Sequence, residues 1–228
     1  MRSIAIIPAR GGSKRLPRKN LIDFHGKPII VYTIEAATQA GVFDRVVVSS
    51  DSKEILAVAA NAGVEISLRP DSLATDRATL NDVCLDLLDK EEAAGREYEA
   101  ICCLYATAPL RNAGDVRAVM ALLEPGVCDY AMAVTHFSHP PFQAMRNNSM
   151  GFLEEMWPDL GHRRTQDMEE LFIDNGSTYA ALVKAFRDHK TFRGPRARGY
   201  LMPRSRSVDI DVQEDLDMAL YFGRKPGL

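Results

Sequence analysis

Short β-branched runs alternate along the chain with stretches whose apolar residues recur three and four apart. Residues 3–8 carry the run Ile-Ala-Ile-Ile before a glycine-rich turn, which predicts a strand. Pro28 suits the first position of a helix, with Ile30, Ile34 and Ala37 at helical spacing and Gly41 as the stop. Residues 46–50 predict a second strand. Asp51 is then placed to cap a helix, with Glu54 as its box partner and Gly63 as the end. A short strand near Ile66 and a loop over 69–79 lead to Leu80, Val83, Cys84, Leu87 and Leu88, a helical stripe that reads as core. Residues 100–104 form a continuous apolar strand, as in the centre of a parallel sheet. A helix over about 115–123, a strand over 130–134, a strand near 177–181 and a last helix from Gln213 complete the pattern. Alternating strands and helices predict one α/β domain over 1–228, with a doubly wound, mostly parallel, Rossmann-like sheet.

Residues 136–161 break the alternation. Pro140, Pro141, Asn147, Asn148 and Gly151 are interleaved there with Phe142, Met145, Phe152, Met156 and Trp157. The segment reads either as a hairpin excursion that packs on a partner subunit or as a loop folded over its own domain. The arginine series Arg193, Arg196, Arg198, Arg204 and Arg206 falls in a basic segment over 187–206, read as a solvated loop that could also touch a sugar carboxylate or a phosphate.

Composition narrows the class. A length of 228 residues, 46% of them hydrophobic and 26% charged, is that of an ordinary globular domain. No apolar run approaches a membrane span or the core of a signal peptide. The formal charge of −3 offers no general attraction for nucleic acid. Cys84, Cys102, Cys103 and Cys128 lack CxxC spacing and read as reduced, packed thiols, which fits a cytoplasmic protein. Adjacent Cys102 and Cys103 are expected on opposite faces of one strand.

Against that modest net charge stands a local concentration of cations. Arg10, Lys14, Arg15, Arg18, Lys19 and Lys27 share the segment 10–27 with Asp23 as its only acid. The segment leaves the carboxyl end of the first strand, where open α/β sheets bind ligands. Gly11 and Gly12 would let backbone N–H groups approach a phosphate, and Ser13 could add a hydroxyl donor. Neither GxGxxG nor GxxxxGK[ST] is present, so these residues read as a phosphate loop of another kind.

A second cluster lies near the other end. In an extended segment Asp209 and Asp211 would face the same way, with Cα atoms about 6.5–7 Å apart. Such a pair could share an octahedral Mg²⁺, or could form an acidic turn capping the last helix, as Asp215 is also placed to do. The five histidines carry no ligand motif, and neither GxSxG nor HExxH occurs.

The segment 10–20, of the form RGGSKRxxxKN, resembles the N-terminal signature of the acylneuraminate (CMP-sialic acid) cytidylyltransferases, and the resemblance runs along nearly the whole chain. Arg69-Pro70 with Asp76 and Thr79 is similar to that family's second nucleotide-contacting loop. Residues 104–111, Leu-Tyr-Ala-Thr-Ala-Pro-Leu-Arg, resemble its LQPTSPLR segment, with Tyr105 in place of a glutamine that contacts the sugar. Residues 101–109 and Arg164-Thr165-Gln166-Asp167 are closer to the pseudaminic acid branch, whereas Asn175-Gly176 is closer to the sialic acid branch.

The resemblance implies a nucleotide-diphospho-sugar transferase type of fold with a dimerisation excursion at about 136–161, and a homodimer. It implies CTP and an acidic nine-carbon sugar as substrates, with Mg²⁺ on Asp209 and Asp211. Lys19, Arg10 and Asp211 would be catalytic. Ala9, Arg10, Gly11, Gly12, Ser13, Lys14, Asn20, Arg69, Asp76 and Thr79 would hold the nucleotide; Tyr105, Thr107, Arg164, Gln166 and Asn175 would hold the sugar. Neither nucleic acid nor membrane is an expected partner. An eight-carbon keto-deoxy sugar as acceptor is the nearest alternative, although the opening loop of those enzymes resembles RYxSTRLPxK. A glycosyltransferase and a non-catalytic nucleotide-binding homologue remain as further readings.

Overall fold

The computed structural model describes residues 1–75, 77–161 and 169–224. Its strands are β1 (Ser3–Pro8), β2 (Asp23–Phe24), β3 (Lys27–Pro28), β4 (Arg45–Ser50), β5 (Glu65–Leu68), β6 (Ala100–Leu104), β7 (Tyr130–His136), β8 (Met145–Asn147), β9 (Leu153–Glu155), β10 (Phe172–Leu182) and β11 (Ala197–Leu201). Its helices are α1 (Ile29–Ala40), α2 (Lys53–Asn61), α3 (Leu80–Ala93), α4 (Ala113–Met120), α5 (Pro158–Gly161), α6 (Val183–His189) and α7 (Gln213–Gly223).

Seven strands form the main sheet in the order β11-β7-β10-β6-β1-β4-β5. β1 runs parallel to both β4 and β6, and β4 runs parallel to β5. The chain builds outward from β1 through β4 to β5, then crosses back to β6 on the other side of β1. That reversal leaves a crevice at the carboxyl ends of β1 and β6. β10 is antiparallel to both of its neighbours, a feature that apolar patterning does not encode.

Alternation in the strands divides the core. Ala5, Ile7, Val48 and Cys102 face one cluster with Ile30 and Ile34 of α1, Ile55 of α2 and Val116 and Val119 of α4. Ile4, Ile6, Val47 and Cys103 face the other with Cys84 and Leu87 of α3 and Phe186 of α6. Cys102 and Cys103 therefore do point to opposite faces, and all four cysteines are free and buried. A third cluster joins Phe24 and Ile29 to Leu110, Val208, Ile210, Leu216 and Ala219, clamping α7 and the segment before it onto the small β2–β3 ribbon.

Local details correct the sequence reading in three places. Ser52, not Asp51, caps α2 by accepting a hydrogen bond from the Ile55 N–H, and Asp51 turns instead to the first loop. Pro28 is the residue just before α1 rather than its first position. The basic segment is only in part a solvated loop: it contributes the end of α6 and the edge strand β11, and its arginines, although Arg193, Arg196 and Arg198 stay 68%, 55% and 48% exposed, have partners. Arg193 pairs with Asp174, Arg196 with Asp129 and Arg206 with Asp115, while Arg204 donates to the Ser138 hydroxyl at 2.7 Å. Asp115 is buried and is also the capping-box partner of Asn112 at the start of α4, so the Arg206 pair pins the segment that leads into Asp209.

The excursion is a two-stranded hairpin of β8 and β9. Phe152, Leu153 and Met150 on it are 66%, 67% and 75% exposed, so they do not fold over their own domain.

Candidate active site

The loop after β1 does not lead directly into a helix. Residues 9–18 travel over the carboxyl ends of the strands and end in Arg18, whose φ of 55° starts a single helical turn at Lys19–Leu21. An ion pair between Arg18 and Glu54 ties that corner to α2. Asn20 is buried and donates its side-chain N–H to the Arg10 carbonyl at 2.9 Å, bracing the two ends of the loop against each other. Gly11 donates its N–H to Asp51 Oδ1 at 2.8 Å, and a Cβ on it would lie 3.0 Å from Ser52 Cβ. Gly11 is thus needed for close packing on α2, and its amide already has an acceptor. Ala9 is buried and donates to the Ser49 carbonyl at 2.9 Å.

Beside this loop lies a cleft of about 380 Å³, within the range of small-molecule sites. Arg10, Lys19, Asn20, Arg69, Thr79, Tyr105, Thr107, Asp209 and Asp211 all line it. These residues come from the loops after β1, β5 and β6 and from the segment before α7, brought to one place by the crossover at β1. Ala9, Gly11, Gly12, Ser13, Lys14 and Asn175 are outside its lining. Asp76, Arg164 and Gln166 lie outside the described residues.

The two ends of the chain meet here. Lys19 Nζ donates to Asp211 Oδ1 at 2.7 Å and to the Ile210 carbonyl at 3.1 Å. Arg15 donates to Asp211 Oδ2 at 2.5 Å. Burial by itself would raise the Asp211 pKa, but these two cations outweigh it and hold the carboxyl below its ordinary value. Asp209 lies deeper, and burial raises its pKa against the opposing pull of the Thr107 hydroxyl, which donates at 2.6 Å, and of Lys19. Val208 and Ile210 point into the third core cluster while Asp209 and Asp211 line the cleft, as the extended-segment alternation requires. The Ile210 N–H donates to the Thr107 carbonyl at 2.9 Å, stitching this segment to the turn after β6.

A bulge in β10 makes room for Asp209. Pairing with β7 shifts between Asp174 and Tyr179, and Gly176 sits there at φ 67°. A Cβ on Gly176 would come within 2.8 Å of Asp209 Oδ2, so the aspartate is seated against bare backbone. Asn175 does not reach the cleft. Its amide N–H groups go to Ser207 Oγ at 3.0 Å and Met202 Sδ at 3.2 Å, and its oxygen accepts from the Ser177 hydroxyl at 2.8 Å. Its position in the bulge turns it inward.

Arg69 is buried on the cleft wall, with one Nη held by the Ser49 carbonyl at 2.9 Å and its Nε without a hydrogen-bond partner. Desolvation lowers its pKa. Thr79 caps α3 through a capping box with Asp82, which engages its hydroxyl while keeping the residue at the cleft edge.

Sequence reasoning missed a second cavity of about 250 Å³ that shares Thr79, Leu80 and Tyr105 with the first. Tyr105, Tyr179 and Phe192 wall it, with Arg193 at its side. The Tyr105 and Tyr179 rings are 5.0 Å apart, and the Tyr179 hydroxyl donates to Asp174 Oδ1 at 2.5 Å. Burial raises the pKa of both tyrosines, which therefore act as neutral donors. The antiparallel placement of β10 beside β6 brings Tyr179 to Tyr105.

Comparison with known proteins agrees with this geometry. The Cytidylyltransferase family model matches residues 4–157. The chain belongs to that family. It is 35% identical over 223 residues to a pseudaminic acid cytidylyltransferase of Campylobacter jejuni, covering 96% of this chain and 95% of the relative. It is 31% identical over 218 residues to an N-acylneuraminate cytidylyltransferase of Streptococcus agalactiae, covering 94% of this chain and 52% of the relative. The solved structure of a CMP:2-keto-3-deoxy-manno-octonic acid synthetase with CTP superposes with a TM-score of 0.71 at 17% identity, covering 98% of both chains. At that identity the match concerns the fold alone, a mostly parallel, Rossmann-like sheet flanked by helices.

Two carboxylates at the cleft form a hard-oxygen donor set. Among the described residues no group of three or more His, Cys, Asp or Glu side chains is suited to a metal. As two hard oxygen donors, Asp209 and Asp211 would suit Mg²⁺ only with further ligands from outside the protein.

Proposed function

We propose that this family member transfers CMP from CTP to the anomeric hydroxyl of an acidic nine-carbon sugar, releasing pyrophosphate. Pseudaminic acid is the favoured acceptor, ahead of N-acetylneuraminate and legionaminate. The observation that carries the reading is the 2.7 Å contact between Lys19 and Asp211, 192 positions apart, inside a cleft that also holds Arg10 and Arg69. A cation-rich loop and a carboxylate pair that converge on one cavity suit a triphosphate and its divalent ion. The greater similarity to the pseudaminic acid relative, and an aromatic second cavity where Tyr105 replaces a polar glutamine, favour the less hydroxylated sugar.

In this reading CTP occupies the larger cleft and the sugar occupies the cavity beyond Tyr105. Arg69 meets the nucleotide from the cleft wall, and Asn20 keeps Arg10 in place beneath the phosphates. Lys19 sits where charge builds on the α-phosphate as the sugar oxygen attacks in line with departing pyrophosphate. Such reactions ask for positioning and charge neutralisation more than for covalent help from the protein. Mg²⁺ held by Asp209 and Asp211, when bound, would neutralise phosphate charge and acidify the attacking hydroxyl. Tyr179 and Phe192 exclude water from the sugar's side of the junction.

The exposed apolar hairpin would be covered by a second copy of the chain, giving a homodimer. No helix among the described residues is long and apolar enough to cross a membrane. A cytoplasmic location belongs to the same proposal, since CTP would be drawn from the cytoplasm. The test is pyrophosphate release from CTP and Mg²⁺ with pseudaminate, N-acetylneuraminate and legionaminate supplied separately. Release with pseudaminate in clear preference supports the reading; no release with any of the three overturns it.

A further inference from the structure

Asp211 already has a cation on each oxygen. Lys19 Nζ is at 2.7 Å from Oδ1 and the Arg15 guanidinium at 2.5 Å from Oδ2. The neighbouring Asp209 is closed in a different way, by the Thr107 hydroxyl on Oδ1 and by the Gly176 backbone packed against Oδ2. A divalent ion entering this site without nucleotide would have to displace a cation from Asp211.

The two cations are not equally placed to yield. Lys19 is 21% exposed and is anchored by two acceptors, Asp211 and the Ile210 carbonyl. Arg15 is 67% exposed and stands on the loop that carries the cationic run. Its planar fork matches a phosphate at least as well as a carboxylate, and a triphosphate concentrates far more negative charge than one aspartate. Arrival of CTP would draw Arg15 off Oδ2 and open a coordination position just where phosphate oxygens become available as further ligands.

We infer that Arg15 is a positioning residue that keeps Asp211 neutralised in the nucleotide-free protein, so that the divalent ion binds together with CTP and not before it. The inference rests on the cytidylyltransferase reading of the cleft. Linkage makes the effect reciprocal: the factor by which CTP tightens the metal is the factor by which the metal tightens CTP.

The experiment titrates Mn²⁺, a spectroscopically visible substitute for Mg²⁺, into wild type, Arg15→Gln and Arg15→Lys, each with and without CTP. Bound ion is read by electron paramagnetic resonance. In wild type, CTP strengthens Mn²⁺ binding. In Arg15→Gln the nucleotide-free affinity rises about fivefold, the upper range for a half-exposed ion pair, and the enhancement by CTP shrinks. Arg15→Lys restores the wild-type pattern. A nucleotide-free affinity unchanged or weakened in Arg15→Gln overturns the inference. If CTP binds to none of the three proteins, the proposed function fails, while the nucleotide-free comparison still decides the role of Arg15.

Discussion

The cleft and the β8–β9 hairpin both lie outside the packed core, yet their side chains are treated in opposite ways. In the cleft, charged groups are answered within the chain: Asp211 by Lys19 and Arg15, and Asp209 by Thr107. On the hairpin, Met150, Phe152 and Leu153 are left more than half exposed. A polar site can be prepared in one subunit because hydrogen bonds satisfy its groups locally. An apolar arm has no such remedy, and exposed apolar area of this kind marks contact with something outside the subunit. In the proposed reading the hairpin serves assembly and the cleft serves chemistry, and substitutions should separate them.

The largest separation is expected from Lys19→Ala or Asp211→Ala. Each should lower kcat by at least ~10²-fold, as loss of one preorganised charge contact does, with the mass of the particle unchanged. Near-normal turnover of either purified variant would remove that residue from the catalytic set. The complementary change, Met150→Asp with Phe152→Asp, should weaken self-association by about 10²-fold, since two side chains each lose burial of roughly 1.5 kcal/mol or more. Light scattering across a dilution series reads this, and CTP binding should survive.

Gly176→Ala tests how Asp209 is seated. The left-handed backbone costs an alanine about 1–2 kcal/mol, and its Cβ would press on the carboxylate, so kcat should fall by up to ~10²-fold while the fold persists. Ile210→Ala, which keeps both aspartates, should cost roughly 2–5 kcal/mol in denaturant melts by emptying their apolar anchor.

The pH profile should carry the mark of Asp209. Its raised pKa means that protonation occurs at a higher pH than for an ordinary carboxylate, so divalent-ion affinity should decline early as pH falls through that value. Asp211, with a lowered pKa, stays ionised through the same window. The smallest effect is expected from Asn175→Ala. Loss of its buried hydrogen bonds should lower stability by about 1–3 kcal/mol, with little change in KM for the sugar. A large rise in that KM would return Asn175 to the sugar site.

Much of this was legible in the chain. The apolar runs marked β1, β4 and β6, and the apolar stripe of α3 lay where its spacing put it, because each of these signals is local. The motifs at 10–20 and 209–211 marked both sides of the cleft before any contact was known. Other local signals misled. Asp51 looked like a helix cap, but its neighbour Ser52 takes that role and Asp51 binds the Gly11 amide. The ion pairs of the arginines over 193–206 were not legible, because their partners, Asp115, Asp129 and Asp174, are distant in sequence.

The sequence alone determined the α/β character, since periodicity acts over a few residues, and it pointed to the family and the kind of chemistry through the resemblance of its motifs. Only the tertiary structure decided that β10 runs antiparallel, that Tyr179 and Phe192 wall a second cavity, that Asn175 turns inward and that Arg15 rests on Asp211. These depend on pairings between segments far apart in the chain, where geometry and not spacing decides which groups are close enough to hydrogen-bond and which are left to meet a ligand.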